Sequence, residues 1–225
     1  DLDVEALLQG LEPAQRHADA GIRLAGRDRL QQRLGRGIER GVALLDLLGD
    51  LLVGSGKDRW VYVYGTANPG SDKAWGYSLR VARVRPDDLL NQSRWRYWDG
   101  SEWSREEDDA TEMIPAKDGV SQTLSVFTQG DRWYALSKRN DLLGSDITVW
   151  SADSPTGPWS SGTAVEKIPK GGTGQVRYMP LAHPTLFPKE GSVVASYSTN
   201  DTNSERVAAD PLRYRPHFVE VPLPR

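Results

Sequence analysis

The spacing of apolar residues changes partway along the chain. Before residue 54 they recur at spacings of three and four through much of the segment: Leu7, Leu8 and Leu11, then Leu24, Leu30, Leu34, Ile38, Val42, Leu45 and Leu48. That is the period of an amphipathic helix, although Gly10, Pro13, Gly21, Gly26, Gly35, Gly37 and Gly41 weaken it, each interior Gly costing about 1 kcal/mol against Ala. From Trp60 onward the period falls to two. Trp60–Tyr64, Tyr77–Val84 and Trp95–Trp98 read as strands, followed by an exposed polar loop over Glu102–Asp109. The order then repeats. Thr123–Phe127, a turn at Gln129-Gly130-Asp131, Trp133–Ser137 and Ile147–Ser151 form a second unit. Ala182–Phe187, a turn at Lys189-Glu190-Gly191, Val193–Tyr197 and His217–Val221 form a third.

Aligned on their second strands, these units place Trp60 beside Trp133 and Val193. Repetition of one strand order at this period predicts propeller blades, with a β-sandwich of similar strand spacing as the alternative. The fold class expected is therefore mainly β: a partial β-propeller with an N-terminal helical segment. Residues 1–53 form that helical or poorly ordered segment and 54–225 the partial propeller, joined at Val53-Gly54-Ser55-Gly56. In a propeller each unit's first strand faces the axis. Tyr62, Tyr64, Trp133, Tyr134 and Trp150, on middle strands, are expected to pack between blades.

Composition sharpens the boundary. All eight Trp, eight Tyr and three Phe lie at or after Trp60, and every lysine lies at or after Lys57. Arg, Ala, Gly and Leu without Lys or aromatics is also what a GC-rich gene yields when read out of frame, so residues 1–53 are expected to be either a helical appendage or a gene-model artefact. No run approaches the roughly 18 apolar residues of a membrane span. Zero cysteines exclude disulfides and thiolate chemistry. A net charge of −3 gives no basis for a dedicated nucleic-acid binder. The chain starts at Asp1 without an initiator Met, which suggests a removed leader or a piece of something longer.

No Walker loop, GxGxxG, HExxH, GxSxG or EF-hand loop is present, and His17, His183 and His217 are too scattered to suggest a metal cage. What remains is a surplus of carboxylates and Trp/Tyr near polar loops, the makings of a sugar site. Glycosidic cleavage needs two acids flanking the bond, and sequence singles out no pair; the catalytic residues stay unassigned.

Ser151-Ala152-Asp153-Ser154-Pro155-Thr156-Gly157-Pro158-Trp159 resembles the GPW turn of five-bladed propeller glycosidases of the arabinanase and xylosidase type. Tyr62-Val63-Tyr64-Gly65-Thr66, Val81–Val84 with Trp95–Gly100, and Tyr178 through His183-Pro184, Ser196–Asn200 and Tyr214–Phe218 follow in an order that resembles one actinobacterial family. That family was long labelled a domain of unknown function, and some members are endo-D-arabinanases. The resemblance covers about residues 57–225. It implies the last two to three blades of a five-bladed propeller, with the inner strand of the first visible blade missing and Leu181 where the family tends to carry a His. The implied function is a glycoside hydrolase-like propeller acting on arabinan-type cell-wall polysaccharide, incomplete or inactive as it stands. The alternative is a non-catalytic carbohydrate-binding or surface propeller. The implied protein is a secreted or envelope-associated monomer whose partner is polysaccharide, not nucleic acid; no cofactor is implied, and a central cation is conceivable without being indicated.

Blade order nominates the substrate-binding residues. Ser121 and Gln122 open the second unit's inner strand, and Tyr178 and His183 hold that place in the third. His183 is expected to bond a sugar hydroxyl, help hold a cation or tune a carboxylate, or else to be satisfied by backbone. Arg215 either contacts substrate or pairs with an acid of the neighbouring blade. Asn200 and Asp201 are expected to shape a turn.

Overall fold

The computed structural model describes residues 59–68, 76–141, 144–168 and 174–225, with two short strands at 42–44 and 52–53. The stripe from Leu7 to Ile38 and the Gly54-Ser55-Gly56 junction lie outside the described residues. The first antiparallel sheet comprises β1 (Val42–Leu44), β2 (Leu52–Val53), β3 (Trp60–Ala67), β4 (Ser78–Val84), β5 (Arg96–Trp98) and β6 (Trp103–Ser104). The second holds β7 (Leu124–Gln129), β8 (Arg132–Lys138), β9 (Asp146–Ala152) and β10 (Thr163–Lys167). The third holds β11 (Gln175–His183), β12 (Ser192–Asp201) and β13 (Arg215–Pro222), with helix α1 (Ser204–Ala209) between its last two strands. From β3 onward, chain order equals spatial order in every sheet, so each is an up-and-down meander.

Several expectations are corrected. Val42, assigned to a helical stripe, lies in β1. Both β1 and β2 run antiparallel to β3, opposite Ala67–Gly65 and Val61–Trp60 respectively. Together they form one interrupted strand at the inner edge expected to be empty, covering β3 groups that would otherwise be an unpaired ladder. Apolar runs this short do not distinguish helix from strand by period. The polar stretch 102–109 contains β6, whose Trp103 lies opposite Trp98. Its hairpin turns because Asp99 Oδ1 accepts from the backbone N–H of Ser101 and Glu102 at 2.7 Å each. The strand placed at 182–187 begins earlier and ends at His183, where Pro184 cannot donate to the ladder. Asn200 and Asp201 belong to β12, and Asp201 Oδ1 then accepts from Asn203 N. β10 and α1, with five and six residues, are too short for an apolar period to be read; the side chain of Asn203 caps α1 by accepting from Glu205 and Arg206.

Alternation along β8 and β9 builds the core. Trp133, Ala135, Trp150 and Ala152 face the first sheet and pack with Tyr62, Tyr64, Leu79 and Val81. Tyr134, Leu136, Ile147 and Val149 face the third and pack with Val193, Ala195, Tyr197 and Val221. The expectation that middle-strand aromatics fill the interfaces is met. Trp133 sits edge-on to Tyr62, with centroids 5.7 Å apart and planes at 73°. Phe127 stacks on Tyr134 at 5.7 Å.

Polar clamps tie neighbouring sheets together. Tyr64 sends its hydroxyl to the carbonyl of Pro155 at 2.8 Å, inside the GPW turn. That turn is shaped by Ser154 Oγ, which donates to the Gly157 carbonyl at 2.6 Å, and by Gly157 at φ +88°, where a Cβ would meet Trp159 N at 2.8 Å. Gln129 Nε2 donates to the carbonyls of Lys189 and Ser192, and its Oε1 accepts from Gly191 N. Ser125 Oγ accepts from Ala182 N at 3.0 Å, holding β11 beside β7. Meanders packed face to face with their first strands adjacent are propeller blades, and the chain is a mainly β protein of that partial-propeller kind.

In urea, Trp133→Ala should lower unfolding free energy by about 3–5 kcal/mol and Tyr64→Phe by about 1 kcal/mol. Leu90→Ala, at an exposed position, should leave the midpoint unchanged. A Trp133→Ala midpoint equal to that of Leu90→Ala would contradict this packing.

Candidate functional site

The two ends of the stack differ. On the far face of the first sheet, Val63, Ala82 and Val84 are buried with Trp95, whose indole N–H donates to the Leu89 carbonyl at 3.1 Å. The β4–β5 connection thus folds back over its own sheet. The far face of the third sheet carries Tyr178, His183, Ser196, Ser198, Asn200, Phe218 and Glu220. Phe218 is 58% exposed and Tyr214, just before β13, 51%. Exposed aromatic rings among hydroxyls and an amide form a surface suited to a sugar, whose C–H faces stack on rings while its hydroxyls find polar partners.

A bulge makes this face. Tyr178 pairs with Ser198 and Leu181 with Ser196, so three steps on β11 match two on β12. Met179, at the bulge, has φ 54°, an uncommon backbone state for a residue with a side chain. Tyr178 and His183 are an odd number of positions apart, and in a regular strand would point to opposite faces. The extra residue puts both on the far face.

His183 Nε2 and Ser196 Oγ share a 2.7 Å hydrogen bond, and the His183 ring lies 5.8 Å from that of Phe218. Partial burial holds the imidazole below its ordinary pKa, so at neutral pH it is an uncharged hydrogen-bonding group. Tyr178 is pushed up to about 12, first by burial, then by the neighbouring Tyr214 hydroxyl, with Asn200 as a further hydrogen-bond partner. It therefore stays protonated and able to donate. Glu220 is held below its usual range, chiefly by its hydrogen bond from Lys189 at 2.6 Å, and also by Ser192 Oγ at 2.8 Å. Its carboxylate is an acceptor already in use, not a poised acid.

Of the residues nominated from sequence, Tyr178 and His183 come together here. Ser121 lies elsewhere and is buried, donating to the Thr123 carbonyl at 2.6 Å within a knot shared with Ser137. Gln122 reaches the hydroxyl of Tyr77, the residue before β4, through its Nε2. Arg215 lies on the opposite face of the third sheet, and no ion pair with an acid is found for it among the described residues. Ser196, Ser198, Asn200 and Phe218 were not named as site residues. For the three β12 residues the signal is their alternation with Val193, Ala195, Tyr197 and Thr199; Phe218 joins them from β13 through sheet register. Among the described residues no group of three or more His, Asp or Glu is placed to hold a metal ion, and no helix is long and apolar enough to cross a membrane.

Blade-like meanders with a polar, aromatic open face define a propeller-type β protein. Residues 45–222 match the family described as "Domain of unknown function (DUF5005)", and the chain belongs to that family. No curated protein matches the sequence. Among solved structures it is similar to an endo-1,4-β-xylanase from Bacteroides thetaiotaomicron, at 15% identity and TM-score 0.38, covering 76% of this chain and 55% of the other. A thermostable family-43 glycoside hydrolase is similar at 15% identity and TM-score 0.39, covering 67% and 48%. An α-L-arabinofuranosidase from Podospora anserina in complex with cellotriose is similar at 14% identity and TM-score 0.41, covering 75% and 56%. The chain spans about half the length of these structures.

Two histidine titrations report the electrostatics of the third sheet. His217 is held below its ordinary pKa by burial, then by the nearby Arg215 and Arg177, whereas His183 is lowered by burial alone. Removing a neighbouring positive charge makes protonation easier. Arg215→Ala should therefore raise the His217 pKa measured by NMR and leave His183 where it was. Equal shifts of both rings, or none at His217, would contradict the assignment.

Proposed function

We propose that this chain is part of a glycoside hydrolase-like propeller acting on an arabinan-type cell-wall polysaccharide, and that the described residues bind the glycan without cleaving it. The observation that carries the reading is the far face of the third sheet, where exposed Tyr214 and Phe218 flank the His183–Ser196 pair and the Tyr178 hydroxyl. Sugar rings stack on the aromatics, while Tyr178, His183, Ser196 and Asn200 exchange hydrogen bonds with ring hydroxyls. The motif order from Tyr62 to Phe218, which resembles an endo-D-arabinanase family, supports arabinan as the polymer and a five-bladed complete propeller. Hydrolysis needs two carboxylates at the scissile bond, one protonated. On this face Glu220 is charged and held by Lys189, which favours binding over cleavage. A secreted or envelope-associated monomer suits an extracellular polymer of this kind.

The test is incubation with arabinogalactan, following binding by affinity electrophoresis and products by chromatography. Binding without released oligosaccharides is expected. Phe218→Ala should weaken binding about tenfold, the loss of one stacked ring with its buried area. Absence of binding would refute the carbohydrate reading. Release of oligosaccharides that is lost in His183→Ala would replace the binding role with a hydrolytic one.

A further inference from the structure

The other face of the third sheet holds a cationic row. Arg177 on β11, Thr199 on β12 and Arg215 on β13 are direct cross-strand partners and so project from one face. The two arginine backbones are two strand spacings apart, roughly 10 Å, close enough for both side chains to converge on one small group above Thr199. Next to them, His217 stacks on Tyr197 with centroids 5.2 Å apart and planes at 10°, and its Nε2 lies 3.4 Å from Thr199 Oγ1. Thr199 Oγ1 also donates toward the carbonyls of Arg213 and Arg215 at 3.0 and 3.2 Å, which fixes the chain carrying Arg215.

We infer that Arg177 and Arg215, held on either side of Thr199 with the His217 ring beside them, form an oxyanion site that takes the carboxylate of an acidic sugar residue. The charge balance is the argument. Neither Arg177 nor Arg215 has a carboxylate partner among the described residues, although acids are close at hand. Asp201, further along β12 with a fully buried side chain, is engaged by Arg213 at 3.3 Å and Arg206 at 3.9 Å. Asp210 lies 3.7 Å from Arg213. From the second sheet, Lys138 donates through Nζ to the Arg177 carbonyl at 3.0 Å, and burial lowers its pKa to about 8 against the opposing pull of Asp141. Like charges facing one another across a sheet are unfavourable until a counter-charge sits between them. A planar guanidinium fork suits a planar carboxylate by paired N–H donors. Thr199 is buried, Arg177 half-exposed and Arg215 exposed, so the row opens to solvent at the end of the sheet that also carries Tyr178, Asn200 and Tyr214 on its far face. The choice of an acidic sugar over a free anion rests on the carbohydrate reading above; the oxyanion site itself rests on the arginine row.

The test titrates the full chain by NMR with a glucuronate-containing oligosaccharide, its carboxyl-reduced neutral counterpart and inorganic phosphate. The acidic oligosaccharide should shift the His217 ring and the Thr199 amide, and the neutral one should leave both in place. Arg177→Gln and Arg215→Gln should each weaken the acidic oligosaccharide about tenfold or more, and added salt should weaken it further. Both substitutions remove an exposed or half-exposed charge without a side-chain ion-pair partner among the described residues, so the fold is expected to be retained, and unchanged Trp fluorescence checks this. Equal binding of acidic and neutral sugars, or binding indifferent to both arginines, would overturn the inference. Phosphate binding as tightly as the oligosaccharide would overturn its acidic-sugar assignment. Arabinogalactan binding with a silent arginine row would refute this site alone, whereas no response to any glycan would refute the carbohydrate reading as well.

Discussion

Strand β8 carries Trp133 and Tyr134 side by side, pointing to opposite faces of one sheet, and the rest of the molecule is arranged around that alternation. Trp133 belongs to the interface with the first sheet and Tyr134 to the interface with the third. The second sheet is therefore apolar on both faces at its middle strands. Burying apolar area is worth about 25 cal/mol per Å², and aromatic pairs add about 0.5–1.5 kcal/mol beyond area. The third sheet lacks a second apolar face, and the far face of the first is covered by its own Trp95 and Leu89, so each outer sheet meets the rest of the molecule through the second. The hydrogen bonds of Tyr64 to Pro155 and of Gln129 to the β11–β12 turn then fix how the sheets are set against each other.

With the middle of the stack settled in this way, its ends carry the difference that matters for function. At one end Trp95 and Leu89 cover the first sheet's far face from within the same meander. At the other, a one-residue bulge at Met179 brings Tyr178 into line with His183, and Phe218 and Tyr214 stay in solvent. Exposed rings interspersed with neutral donors and acceptors make a poor core but a workable surface for a hydroxylated ligand. The opposite face of the same sheet, at the same end, gathers Arg177, Arg215 and His217. Two adjacent surfaces of different chemistry, one aromatic and neutral, the other cationic, are thus presented by three strands.

Much of this was legible along the chain. Period two from Trp60 gave the long strands, and alignment on Trp60, Trp133 and Val193 gave the second strand of each meander. Tyr62, Tyr64, Trp133, Tyr134 and Trp150 could be placed in interfaces because aromatics on middle strands have nowhere else to be buried. Other features left no such trace. Strands β1 and β2 are too short for their period to be read, and β10 sets only Ala164 and Val165 among polar residues. Pro180 inside β11 was the one hint of the bulge, since proline in a strand belongs at a bulge or edge. Ser121 was nominated by its position in the blade order, but its hydroxyl is consumed by Thr123 and Ser137, which only three-dimensional contacts reveal. Arg177 escaped notice because its partners Thr199 and Arg215 are far away in sequence and meet it only through sheet register.

A double-mutant cycle on the unfolding free energy tests the alternation of β8 most directly. Tyr62 should couple to Trp133 by about 0.5–1.5 kcal/mol and to Tyr134, on the other face of the sheet, by nothing measurable. Coupling of Tyr62 to Tyr134, or its absence with Trp133, would contradict the face-to-face stack.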